Sequence, residues 1–212
     1  AAAVRLAPYG IVARHGLPDD LQNFFILHEG VVRKVDGQLD ELAYDDIPDL
    51  DVVAREGAAA EVVEVAADGW IGFTDKYWMT TLIPGADQPF SSVTKYVANA
   101  DIYQTEARLP AMTVEAGQSA EVTTLLFAGA KEWETIRNYQ NEGGIERFLD
   151  SIDWGWFYFL TKPIFWLLHN LNVMIGNMGL AIIALTVIIK AVLFPLAYKS
   201  YASMARMREL QP

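Results

Sequence analysis

The sequence contains no cysteine. That excludes disulfides, thiolate catalysis and Cys-ligated metals from the outset. Basic residues are scarce too: 16 Lys+Arg stand against 27 Asp+Glu in 212 residues, a formal net charge of -11. Phosphate binding needs clustered Lys and Arg, so this balance speaks against a direct nucleic-acid site in this fragment. The three histidines, His15, His28 and His169, form no metal-ligand spacing. A Gly-rich phosphate loop, a nucleophile elbow and a carboxylate cluster with ligand spacing are all missing. No catalytic residue, no metal site and no cofactor is expected, and the chain reads as a non-enzyme. A starting Met and a signal sequence are also lacking: the chain opens Ala1-Ala2-Ala3 and stops at Gln211-Pro212, so both ends read as cuts.

What charge there is lies unevenly. Residues 1–150 hold 11 Lys+Arg against 25 Asp+Glu, a net of -14, whereas residues 151–212 hold 5 against 2, a net of +3. An acidic part joined to an apolar, weakly basic part points to two environments. Residues 1–129 read as β-rich. Runs such as Phe24-Phe25-Ile26-Leu27, Glu61–Val65 and Val122–Phe127 favour strands. Turn signals at Asp36-Gly37, Asp68-Gly69, Pro84-Gly85 and Ala116-Gly117 separate them, the Asp-Gly pairs suiting tight hairpins. The spacing predicts a mainly β, antiparallel sandwich. Trp70, Phe73, Tyr77 and Trp78 read as sandwich core. His28-Glu29 reads as a solvated face before an acid/base pair. The run Asp45-Asp46, Asp49, Asp51 reads as a solvated acidic loop, with a weak cation site as the lesser alternative. A short helix is expected over 130–141 from Trp133, Ile136 and Tyr139 at helical spacing, with Gly143-Gly144 ending it; helix and linker together fill 130–150.

From Trp154 the chain turns aromatic. Lys162 and Pro163 in mid-segment argue against a spanning helix, because Pro lacks a backbone donor and Lys is costly at bilayer depth. Dense Trp, Tyr and Phe suit the headgroup layer, so residues 151–172 read as an interfacial amphipathic helix anchored by Trp154, Trp156, Lys162 and Trp166. Asn177 then opens a run of apolar residues through Tyr198, about 31 Å of helix and enough to cross hydrocarbon. Lys190 opposes that reading by about 3 kcal/mol, while the Leu, Ile, Val and Phe residues between Leu180 and Leu196 together return about 3 to 7. Residues 177–198 therefore read as one transmembrane helix. Lys199, Arg206 and Arg208 follow it directly, which places the C-terminus in the cytoplasm and residues 1–150 outside.

Lys190 is the residue that stands out. It could snorkel to the inner headgroups or face a wet cavity between helices, and the two readings weigh evenly. Pro195 adds to the second, since it leaves the Ala191 carbonyl without its helical donor one turn away. Thr186 shares Lys190's face and would extend a polar stripe, unless its hydroxyl simply bonds the Ile182 carbonyl.

Several stretches together resemble the YidC family of bacterial membrane protein insertases, related to Oxa and Alb proteins. They are the run from Trp156 through Lys162-Pro163 to Leu168, Gly176-Asn177-Met178-Gly179, Lys190 to Leu196 with Pro195, and Ser203 to Pro212. Upstream, Tyr9-Gly10, the stretch from Phe24 to Gly30 and that from Phe73 to Trp78 are similar to its large periplasmic domain. The resemblance implies a mutarotase-like β-supersandwich, here N-terminally truncated, then an interfacial helix and the first of five core helices in the inner membrane. It also implies the start of a cytoplasmic helical hairpin over 199–212. The function it implies is insertion and chaperoning of inner-membrane proteins, alone or with the Sec translocon, through a hydrophilic groove carrying one positive charge. Lys190 would be that charge, Thr186 its polar neighbour and Pro195 a helix kink. Lys199, Arg206 and Arg208 would meet the cytoplasmic side. The partners implied are nascent membrane proteins, the Sec translocon, the ribosome and the lipid bilayer. A membrane-tethered carbohydrate-binding or docking β-sandwich is the alternative.

Overall fold

The computed structural model describes residues 2–19, 21, 27–155 and 157–209, excluding the side chains of 202, 203 and 205–209. The chain divides into two units, Ala1–Asp153 and Trp154–Pro212. The first is mainly β. Its strands are β1 (Val4–Leu6), β2 (Tyr9–His15), β3 (Gly30–Val35), β4 (Gln38–Ala43), β5 (Val52–Val53), β6 (Ala58–Val65), β7 (Trp70–Thr74), β8 (Trp78–Pro84), β9 (Phe90–Val97), β10 (Ile102–Arg108), β11 (Met112–Val114) and β12 (Thr124–Ala130). Two five-stranded antiparallel sheets, ordered β2-β10-β9-β6-β5 and β12-β8-β7-β3-β4, pack face to face, and β1 pairs with β11. The antiparallel sandwich expected from the short, turn-punctuated strands is the fold found.

Alternation along the strands of the second sheet fills two cores. Val31, Ile71, Phe73 and Leu82 point inward to meet Val65, Phe90, Tyr103 and Ala107 of the facing sheet. Their neighbours Val32, Trp70, Met79 and Ile83 point the other way and would meet water in a simple sandwich. Here they are covered by Ile136 of helix α1 (Trp133–Asn141) and by Ile145 and Phe148 of the segment after it. The Trp70 and Phe148 rings meet edge to face at 5.6 Å. Trp70 Nε1 donates to the Glu146 carbonyl at 3.1 Å. Lys34 is fully buried beneath this layer, its ammonium 2.6 Å from the Glu146 carboxylate. Helix α1 starts where the Glu132 carboxylate accepts from the amides of Glu134 and Thr135, satisfying two otherwise orphaned donors.

One reading of a turn needs correction. Asp36-Gly37 does close a hairpin, with φ of 46° and 82° joining β3 to β4. Asp68-Gly69 instead carries the chain from one sheet to the other, since β6 and β7 lie in different sheets. Gly69 is needed for close approach: a Cβ there would stand 2.4 Å from Val65 and 2.9 Å from the Lys34 carbonyl. Pro84-Gly85 likewise crosses between sheets, from β8 to β9.

The outer face of the first sheet carries a charge network. Arg108 grips Glu56 with two hydrogen bonds of 2.6 Å and also reaches Glu106, which Lys95 pairs from the other side. Both carboxylate side chains are only 4% exposed. The Arg108 hydrogen bonds hold Glu56 below the ordinary carboxylate range. Burial alone would push Glu106 up, but hydrogen bonds from Arg108 and Lys95 outweigh it and hold this group low as well.

Both carboxylates are thus more acidic folded than unfolded, so their contribution is complete above the ordinary value of 4.5 and is lost as pH falls through the folded values. Acid titration of unfolding should show stability dropping below that point, and Arg108→Met should flatten the slope; an unchanged slope would contradict the coupling. Removing the ring that covers Trp70 should matter more at neutral pH. We expect Phe148→Ala to cost about 3–5 kcal/mol in urea unfolding followed by near-UV circular dichroism.

Candidate functional site: the helical hairpin

The second unit is a pair of helices joined by a tight turn. Helix α2 spans Tyr158–Ile175 and α3 spans Met178–Glu209. The turn between them is two residues long and dictated by chemistry. Gly176 caps α2 at φ 70°, a conformation favouring glycine, and its amide donates to the Asn172 carbonyl. Asn177 then caps α3 by accepting from the Leu180 amide at 3.1 Å. Helices joined by so short a link meet beside it, and α2 and α3 are in contact. On α3 the buried residues are Ala181 and Leu185, one turn apart, with Ala184 and Ile189 half-buried beside them.

Among the described helices, one segment, Met178–Tyr201, is long and apolar enough to cross a membrane. Lys190 sits within it and is exposed. Five residues on from Leu185, it lies about 140° round the helix from the stripe that faces α2. Thr186 is exposed on the same side, and its hydroxyl donates to the Ile182 carbonyl at 2.8 Å. Its donor is therefore spent on its own helix, which leaves the hydroxyl oxygen as an acceptor toward Lys190's surroundings. Helix α3 runs through Pro195 without interruption. Across it the Phe194 and Tyr198 rings stack at 6.4 Å, and Lys199 beyond is exposed. Arg206 and Arg208 lie on the same helix, with their side chains outside the described set.

Aromatic groups gather at the start of α2. The Trp154 and Phe165 rings meet at 5.6 Å, and the Lys162 ammonium stands 5.7 Å from the Trp154 ring and 5.8 Å from that of Tyr158. Trp166 is 57% exposed. Trp156 falls outside the described residues. Pro163 lies in the second turn, so the Phe159 carbonyl loses its usual donor there.

In the β unit, two sequence readings change. His28 and Glu29 are not a solvated face. His28 Nε2 donates to the Val31 carbonyl at 2.9 Å, its amide donates to the Asp153 carboxylate at 2.9 Å, and the buried Glu29 accepts from the Lys76 amide at 2.9 Å. Trp70 and Phe73 are core, but Tyr77 and Trp78 are not: they project from the turn between β7 and β8. Asp45 and Asp46 are exposed in a 3-10 turn over Tyr44–Asp49. Sequence reasoning also missed Lys131, which donates to Thr74 Oγ1 at 2.9 Å and whose burial lowers its pKa against the opposing pull of Asp153 and Glu29. No local pattern could reveal that cluster, because Glu29, Thr74, Lys131 and Asp153 come from four separate stretches of the chain.

Comparison with known proteins places both units. Residues 1–167 match the model of the YidC periplasmic domain, and residues 170–212 match that of the 60Kd inner membrane protein. Proteins named membrane protein insertase YidC are 70% identical in Jannaschia sp. (strain CCS1), 69% in Dinoroseobacter shibae and 68% in Cereibacter sphaeroides. These alignments cover 98–100% of this chain and 34–36% of the relatives. The chain thus spans about a third of the length of the curated relatives it matches.

The tightness of the hairpin link yields a test. Asn177→Ala removes the cap and should destabilise the first turn of α3 by about 1 kcal/mol, a roughly five-fold faster exchange of the Leu180 amide. Asn177→Ser should restore protection. Equal exchange in all three forms would show that the cap is idle.

Proposed function

Since the chain belongs to the YidC family, we propose that it is the extracytoplasmic β domain and first core span of a membrane protein insertase and chaperone. One observation carries the reading: an apolar helix long enough to cross a bilayer keeps Lys190 on the side turned away from its partner helix. A charge held at that depth favours a hydrated cavity over lipid. In this reading Lys190 supplies the single positive charge of a hydrophilic groove completed by further helices, and Thr186 offers it an acceptor oxygen. An incoming segment's acidic flank is drawn toward Lys190, which lowers the barrier to moving that flank across, and its apolar part passes sideways into lipid. No bond is made or broken, so the mechanism is non-enzymatic.

The same reading sets the rest of the chain in order. Met178–Tyr201 crosses the inner membrane with Lys199, Arg206 and Arg208 on the cytoplasmic side, where the helix meets nascent chain and ribosome. Residues 1–150 lie in the periplasm. Residues 151–172 rest on the outer surface, with Trp154, Trp156, Lys162 and Trp166 among the headgroups. The insertase works on nascent inner-membrane proteins, alone or beside the Sec translocon.

Lys190→Ala and Lys190→Glu in the full-length protein should reduce insertion of single-spanning substrates with acidic outer tails several-fold, with Lys190→Arg close to parental. A protease-protection assay in inverted vesicles reads this directly. Parental insertion by both the Ala and Glu variants would overturn the role assigned to Lys190.

A further inference from the structure

Tyr77 and Trp78 are 61% and 62% exposed, side by side at the tip of the β7–β8 hairpin. Large rings so placed on an otherwise acidic domain call for a partner. The turn that presents them is fixed: the Asp75 amide donates to the Trp78 carbonyl at 2.8 Å, and the Lys131 amide to the Tyr77 carbonyl at 2.8 Å. Strand register locates the tip. Gly30 pairs with both Ala43 and Thr74, and Ala130 pairs with Trp78, so the start of β3, the end of β4, the β7–β8 tip and the end of β12 share one pole of the sheet. The chain leaves the domain at that same pole, where Asp153 accepts the His28 amide. The next residue, Trp154, begins the aromatic helical unit.

The chemistry at the tip selects among occupants. Three carboxylates beside the tip are engaged by the domain: Glu29 accepts from the Lys76 amide, Asp75 is held by Arg14 and by the Tyr44 hydroxyl, and Asp153 by the His28 amide; Glu41 and Glu132, further round the same pole, are exposed. What the tip offers outward is two amphipathic rings and one ammonium, with Lys76 Nζ 5.2 Å from the Tyr77 ring. Trp, Tyr and Lys together match the layer of ester carbonyls and phosphates at a bilayer surface. We propose that Lys76-Tyr77-Trp78 is a second membrane contact of this protein, with both rings seated among phospholipid headgroups and Lys76 on their phosphates. The inference rests on the reading that Met178–Tyr201 crosses the bilayer.

The absence of cysteine makes the test clean, because a single introduced thiol is a unique label site. Tyr77→Cys, Gln38→Cys at the opposite pole and Val187→Cys within the span would each be labelled with a fluorophore in the full chain. Each would be reconstituted into phosphatidylethanolamine–phosphatidylglycerol vesicles carrying nitroxide lipids. Headgroup nitroxide should quench the label at 77 several-fold more than the label at 38, and Trp78→Ser with Lys76→Gln should bring the two together. Equal quenching at 77 and 38, while deep nitroxide quenches the label at 187, overturns the membrane contact alone. Loss of quenching at 187 as well overturns the spanning reading beneath it. Shielding of position 77 from aqueous iodide without headgroup quenching would assign the tip to a protein surface and also overturn the proposal.

Discussion

The central strands of the second sheet, β3 and β7, have no face left for water, and the rest of the β unit is arranged to satisfy them. Facing strands cover one side, but Trp70, Met79 and Ile83 on the other side are too large and apolar to leave bare. Burying a ring the size of Trp70 or Phe148 removes 150–250 Å² from water, so the chain after β12 is held down as a lid. Helix α1 and the segment with Ile145 and Phe148 are that lid. The same layer encloses Lys34 and supplies its counter-charge from Glu146, 112 residues away. A buried ammonium without that carboxylate would be untenable.

Charge elsewhere follows a similar rule. The domain carries a large negative excess, yet the carboxylates that are buried are paired. Glu56 and Glu106 share Arg108 and Lys95 on one outer face, while Arg33 binds Asp40 and Glu61 between the sheets. Arg14, Tyr44 and Asp75 join the two sheets through hydrogen bonds of 2.8–3.1 Å. The surplus acid stays on the surface, where water screens it.

Features set by short-range chemistry were readable from the sequence. The Asp36-Gly37 turn, the helix around Trp133 and Ile136 and the apolar run opened by Asn177 each depend on a few adjacent residues. Thr186 was open between two readings, and its bond to Ile182 takes the local one without removing it from Lys190's side of the helix. What could not be read depends on partners distant in sequence. Asp68-Gly69 looks like any tight turn until the sheets are assigned, and Tyr77-Trp78 looks like core until the hairpin tip is placed. His28 and Glu29 are spoken for by Val31, Asp153 and Lys76, which no spacing rule connects. The surroundings of Lys190 were legible only as one helix face, since one helix cannot enclose a cavity.

The unbroken course of α3 has a mechanical consequence. Thirty-two residues of continuous helix measure about 48 Å, against roughly 30 Å of hydrocarbon. In the proposed span, the surplus extends past the membrane at the end away from the Gly176-Asn177 turn. A change of about 10° in tilt would swing its far end by about 8 Å, given that helical rise. In the proposed span, a small change of tilt thus becomes a displacement the size of a side chain at the end where Arg206 and Arg208 reside.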